Sequence, residues 1–241
     1  VDADVLVYQA SAGAQDKFSW DGEEVEATGN IEKAKLSFKK TLNELITTLN
    51  SPRFTLCFSS SPNFRKTVLP TYKLSRKTVA KPVDYLELEA WAKETYHMAA
   101  LDTLEADDVL GILHTQRPDD TIMVSIDGDM LTIPGRFYKI GVQGKPGVLY
   151  KSTVEDAHRF FLTQTVIGDT GDGYTGVPGV GPAKAEAAFK EHGYTWETVV
   201  MLYESKGLTE EDAIQQARCA RILTKDLHKN GQVVLWTPNH I

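Results

Sequence analysis

The chain has few cysteines, no long apolar run and no tract of low complexity. Each absence narrows what it can be. Two cysteines, Cys57 and Cys219, stand far apart in 241 residues and make no metal-ligand spacing. They read as buried, reduced thiols of a cytoplasmic protein rather than a disulfide framework. No stretch approaches 18 consecutive apolar residues, so a transmembrane helix is not expected. The first nine residues carry two aspartates and no basic flank, which excludes a signal peptide there. No internal repeat is visible. With 41% hydrophobic and 24% charged residues the composition is that of a globular protein. The formal charge of −7 would argue against a nucleic-acid partner, unless the acids gather in one place and the bases in another.

That is how they are distributed. Residues 59–82 contain no acid and six bases: Arg65, Lys66, Lys73, Arg76, Lys77 and Lys81. Acids fall in three groups, Glu105-Ala-Asp107-Asp108, Asp127-Gly-Asp129 and Gly168-Asp169-Thr-Gly-Asp172, with Asp2 and Asp4 at the start. Apolar residues at 31, 34, 38, 42, 45, 46 and 49 predict a helix over 31–49. Residues 1–8 and 53–58 read as strands, 11–30 as a loop, 83–99 and 103–114 as helices, 121–126 as a strand, 136–140 and 147–150 as edge strands, and 153–167 as a helix. The alternation predicts an α/β fold with a mostly parallel central sheet flanked by helices. In such a sheet, strand ends and following helix starts meet on one edge. Carboxylates converging there would repel one another without cations. Hard divalent ions fit oxygen ligands, and two of them suit phosphodiester hydrolysis. Each acid alone has a plainer role as a helix cap or turn residue; one explanation covering all three groups favours the metal site.

Gly176-Val-Pro-Gly179-Val-Gly181-Pro-Ala-Lys184-Ala is the most specific local pattern. The glycines allow close backbone approach, Pro182 suits the first turn of a helix, and the N–H groups there, with Lys184, can hold a phosphate. This reads as a helix-hairpin-helix element gripping a DNA backbone; a plain Gly-rich connector is the alternative.

Five motifs, VDADVLVYQA (1–10), FRKTVLPTYKLSRK (64–77), LEADDVLG (104–111), VSIDGDML (124–131) and GDTGDGYTGVPGVGPAKA (168–185), together with GLTEEDAIQQARCARIL (207–223), resemble the flap endonuclease and 5′→3′ exonuclease family, above all its small stand-alone phage members. The resemblance spans nearly the whole chain. It implies a PIN-like 5′-nuclease core over 1–165, with a basic arch segment at 59–100, and a C-terminal helix-three-turn-helix DNA-binding region over 166–241 packed on that core. It implies metal ligands Asp2, Glu105 and Asp107 in one cluster and Asp127, Asp129, Asp169 and Asp172 in another, with Asp107 or Asp108 close to both. Asp108 would act through water or position a ligand. Lys73 and Arg76 would polarise the scissile phosphate, Tyr72 would stack on a base, and Arg65 and Lys66 would hold neighbouring phosphates. Lys77 and Lys81 are as well explained by solvation. The implied cofactors are two or more Mg²⁺ ions, for which Mn²⁺ substitutes, and a K⁺ ion at the hairpin loop. The implied substrate is DNA with free or flapped 5′ ends, and RNA–DNA hybrid, in the cytoplasm of an infected bacterial host.

The sequence departs from the family in two ways. Ser60 stands where the family has an aspartate, leaving Asp4 or water to compensate or the activity weakened. The chain begins one residue before Asp2, which reads as a trimmed start. Two rival readings stand beside the nuclease: a PIN-type ribonuclease, and a DNA-binding protein that kept the scaffold without turnover, which Ser60 favours.

Overall fold

The computed structural model describes residues 1–18, 26–142 and 144–240. Its first element is a helix, not the expected strand. α1 spans Ala3–Ala14, capped by Asp2, whose carboxylate accepts from the Val5 N–H. The Val-Leu-Val-Tyr run suggested alternation, but Ala3, Leu6, Val7, Ala10, Ser11 and Ala14 are the buried residues, which is helical spacing. Only Val1 and Asp2 take a strand's place. The Cys57 N–H donates to Val1 O at 2.8 Å and the Asp2 N–H donates to Val124 O at 2.8 Å.

The expected loop at 11–30 is also corrected. α1 runs through it to Ala14, and β1 (Asp16–Phe18) pairs antiparallel with β2 (Glu26–Thr28). Residues 19–25 of that expectation lie outside the described residues. α2 spans Ile31–Thr48, close to its expected bounds, with Asn30 as its cap. β3 (Leu56–Phe58) follows, then α3 (Arg65–Val68), a 3₁₀ turn at Leu74–Thr78, α4 (Tyr85–Thr95) and β4 (Met98–Ala100). α5 (Ala106–Gln116), β5 (Met123–Ser125), a 3₁₀ helix at Gly128–Thr132, β6 (Gly135–Lys139), β7 (Val148–Ser152) and α6 (Val154–Ile167) complete the core. The chain ends with α7 (Pro182–His192), α8 (Trp196–Glu204), α9 (Glu210–Ala220), a short hairpin of β8 (His228–Lys229) and β9 (Gln232–Val233), and a final turn.

β3 pairs in parallel with β4, and β5 in parallel with β6; β7 closes the edge antiparallel to β6. Residues 1–2 join β3 to β5, giving the order β4, β3, residues 1–2, β5, β6, β7. Side chains alternate faces along a strand. Leu56 and Phe58 accordingly enter one apolar cluster with α1, α2 and α4, while Cys57 enters the other with α5, α6 and the C-terminal helices. The second cluster continues to Trp236, so residues beyond 166 pack on the core.

The loop after α6 is pinched at its neck. Gly168 has φ +70° and Gly176 φ +60°, and a Cβ on either would strike the backbone of the other strand of the neck. The Val177 N–H donates to Val166 O at 2.7 Å, and Asp169 and Tyr174 exchange backbone hydrogen bonds above it. Gly176→Ala is expected to cost about 1–3 kcal/mol, the scale of a forced left-handed conformation. Urea denaturation checks this; unchanged stability would contradict the pinched neck.

Candidate metal centre and its basic neighbours

Parallel strands end together, so the residues just after each strand meet on one edge of the sheet. Asp2 lies in the residue 1–2 bridge, Ser59 comes after β3, the Glu105 group after β4, and Asp127 and Asp129 after β5. The pinched loop brings Asp169 and Asp172 to the same edge. Ligand-capable oxygens of Asp129, Asp169 and Asp172 lie within 4.8 Å of one another, the single group of three so placed among the described residues. Asp127 caps the 3₁₀ turn instead, its Oδ1 accepting from the Asp129 N–H at 2.8 Å.

Burial sets the electrostatics. It raises the Asp129 carboxyl to about 7, aided by the charges of Asp127, Asp172 and Asp169. Burial and then Asp4 raise Asp2 to about 6, although the Ser125 hydroxyl donates to it at 2.8 Å. Asp107 is pushed far up by burial and by Asp2 and Asp127, and its Oδ1 is enclosed without a hydrogen-bond partner. Such an oxygen is costly unless a donor or cation meets it. An oxygen-rich pocket of acids held partly protonated, with one orphan oxygen, fits a divalent ion.

Glu105 behaves differently. Burial would raise it, but Lys73 and Arg65 hold it at about 2. Lys73 Nζ lies 2.6 Å from Glu105 and 3.3 Å from Asp172. Arg76 pairs with Asp172. The Tyr72 hydroxyl donates to Glu105 at 2.9 Å and to Asp172 at 3.3 Å. Lys73 has φ +51°, an uncommon conformation for a lysine, fixed by its N–H donating to Asp172 O at 2.7 Å. Of the two bases expected near a phosphate, Lys73 therefore bridges Glu105 and Asp172, and Arg76 pairs with Asp172.

Two expected roles are corrected, and that of Asp108 is narrowed. Arg65 is 0% exposed and holds Asp108 through both terminal nitrogens, at 2.6 and 2.7 Å, so it is not a surface phosphate contact. Asp108 also accepts from the Glu105 and Leu223 N–H groups, which fills its lone pairs and leaves none for a metal. Tyr72 is 3% exposed, its ring packed in the core, so it does not stack on a base. Lys66 is exposed as expected. Lys81 lies 3.8 Å over the Tyr85 ring, and the Lys77 side chain lies outside the described residues. The Ser60 N–H donates to Leu104 O, and Asp4 turns to the neighbouring Ser59 N–H at 3.0 Å.

Some supporting residues left no sequence signal. Gln164 reaches from α6 to donate to Asp129 at 3.2 Å and to the Tyr174 hydroxyl at 3.2 Å. Ser125, the last residue of β5, stood in the 124–131 motif with no role assigned to it.

Beyond the pinched neck Gly181 caps α7, with Pro182 in its first turn. Gly179 has φ +72° and open space around it, and exposed Lys184 donates to Gly179 O at 2.9 Å.

Residues 1–145 match the family described as 5′-3′ exonuclease, N-terminal resolvase-like domain. The chain belongs to this family. The chain is also 28% identical to the exodeoxyribonuclease of Enterobacteria phage T3, over 99% of this chain and 92% of that one. It is 28% identical to the exonuclease of Escherichia phage T7 with the same coverage. Its fold is similar to that of the D15 flap endonuclease of bacteriophage T5, solved with DNA and metal ions, at TM-score 0.58 and 19% identity over 77% of this chain and 82% of that one. The expected α/β core is thereby shown.

Asp2 and Asp129 titrate above the usual aspartate value of 3.8 in the folded chain. The folded state then holds more protons than the unfolded between about pH 4 and pH 7, so metal-free stability falls as pH rises through that window. Glu105 acts in reverse, losing its contribution as pH falls from 4.5 towards 2. Thermal unfolding in EDTA should show the neutral-pH loss, and Mg²⁺ or Mn²⁺ should restore it. A melting temperature indifferent to both pH and metal would contradict this arrangement.

Proposed function

We propose that this chain is a divalent-metal-dependent nuclease that hydrolyses DNA phosphodiesters near free or flapped 5′ ends, and RNA primer likewise, in phage DNA replication or host DNA degradation. The observation that carries the reading is the gathering of Asp129, Asp169 and Asp172, with Lys73 linking Asp172 to Glu105, Arg76 paired to Asp172, and an unpartnered oxygen on Asp107 facing the charges of Asp2 and Asp127. Asp129, Asp169 and Asp172 would hold one ion. Asp2, Glu105, Asp107 and Asp127 would complete the ligand set, Mg²⁺ being the proposed physiological ion and Mn²⁺ its substitute. Bound divalent ions supply a water of lowered pKa and positive charge at the leaving oxygen.

The chain's own residues do the rest. Lys73 and Arg76 present positive charge where negative charge builds on a phosphate. Ser125 and Gln164 orient Asp2 and Asp129. Residues 166–241 would act as the helix-three-turn-helix DNA grip, with a K⁺ ion at the Gly176–Gly181 turn and phosphate at the α7 N-terminus. Lys184 adds charge there and exposed Lys66 adds it near α3. Contacts of this kind position DNA without reading its sequence.

A duplex with a labelled 5′ flap should give short 5′ products with Mg²⁺ or Mn²⁺ and none in EDTA. Asp129→Asn or Asp172→Asn should lower cleavage at least about 100-fold, the scale of losing an electrostatic stabiliser, while leaving DNA binding. Full activity in either variant would overturn the ligand set. Binding with no product from the wild type would leave the DNA-binding reading that Ser60 favours, and cleavage of RNA alone would favour the ribonuclease. Lys184→Ala should weaken binding to every sequence alike and lower the salt slope by about 1.

A further inference from the structure

Resting on the nuclease reading, we propose that Arg65, Asp108 and Arg221 form a buried strap that positions both acid groups and the Lys73–Arg76 segment, touching neither DNA nor metal. The hydrogen bonds of Arg65 are complete. Its Nε donates to Cys219 O at 3.0 Å. Its Nη1 donates to Asp108 at 2.6 Å and reaches Glu105 at 3.4 Å. Its Nη2 donates to Asp108 and to Arg221 O, both at 2.7 Å. A guanidinium has five N–H groups, so none remains for a phosphate. Asp108 is equally saturated, accepting from Arg65 twice, from the Glu105 N–H at 3.2 Å and from the Leu223 N–H at 3.0 Å.

The strap uses the end of a helix. α9 stops at Ala220, and the last carbonyls of a helix have no partner within it and carry partial negative charge. Arg65 meets Cys219 O there and also holds the Arg221 carbonyl just beyond. Arg221 then continues the connection. Its Nη1 donates to Thr132 O at 3.1 Å, its guanidinium lies 5.0 Å from the Phe161 ring, and the Thr132 hydroxyl donates to Asp129 O at 2.7 Å. The path runs from Glu105 and Asp108 on the α5 N-terminus, through Arg65 and the 219–223 segment, to the turn that carries Asp129. Arg65 also begins α3, the element that leads to Lys73 and Arg76.

Buried ion pairs are commonly no more stabilising than apolar residues of similar volume. Stability therefore does not explain why two charges and five donors are enclosed here. Position does: small displacements of a reacting constellation cost large factors in rate, of order 100-fold for about 1 Å.

The test is the double substitution Arg65→Met with Asp108→Leu, which removes both charges together so that neither is left buried without the other, although the Cys219 and Arg221 carbonyls and the Glu105 and Leu223 N–H groups lose these side-chain partners. Cleavage of flapped duplex, affinity for the same duplex in Ca²⁺, and Mn²⁺ binding by electron paramagnetic resonance are measured on the full chain. The expected result is a kcat at least about tenfold lower, with KM and the Mn²⁺ dissociation constant within about threefold of wild type. Wild-type kcat would overturn the strap. So would a tenfold loss of duplex affinity, which would make Arg65 a phosphate contact, or a tenfold loss of Mn²⁺ affinity, which would make Asp108 a ligand. If the double variant does not fold, Arg65→Lys, which keeps the charge and loses the fork, is compared in the same way. A wild type inactive with Mg²⁺ and Mn²⁺ would overturn the nuclease reading and with it the positioning role, while the Mn²⁺ and duplex titrations would still decide whether Arg65 and Asp108 touch DNA or metal.

Discussion

Carboxylates crowded into a half-buried place repel one another, and much of the surrounding structure answers that repulsion. Asp2, Asp107, Asp129 and Asp172 share an edge of the sheet from which water is largely excluded, and each is shifted towards its neutral form by burial. Lys73 and Arg76 supply countercharge from one side, and Ser125, Gln164 and Tyr72 supply donors from within. The pinched glycine neck holds two of the acids against this repulsion by covalent geometry instead of charge. The fold tolerates the cluster because its compensation is distributed over the 72–76 segment, β5, α6 and the loop after α6.

The same constraint explains the net charge. A chain at −7 proposed to bind a polyanion looks contradictory while charges are counted by sum. It ceases to be so when several acids are withdrawn into one site and the exposed bases, such as Lys66 and Lys184, lie on other surfaces.

Periodicity made α2 legible because its apolar face is long and unbroken. The acid groups at strand ends and the Gly-Pro pattern before α7 were legible because their residue types fit few other settings. Other features were hidden for physical reasons. β-branched and aromatic residues at 5–8 suggest a strand in isolation, and only packing against α2 and α4 decides for a helix. Arg65 stands in a stretch without acids, so it reads as surface; its partner Asp108 is 43 residues away. Asp107 and Asp108 are adjacent on a helix and point about 100° apart, so one faces the site and the other the core. Spacing alone cannot say which is which.

Among the described residues the tryptophans give two separate optical labels. Trp91 packs edge-on against Phe38 and Tyr96 in the cluster beside α1, α2 and α4. Trp196 and Trp236 meet at 4.9 Å in the other cluster, and Trp236 lies 5.1 Å from Phe161 of α6. Emission from the second pair reports whether the C-terminal helices are seated on the sheet, while Trp91 reports the opposite layer. Single-tryptophan versions of the chain would thus let each layer be watched melting on its own.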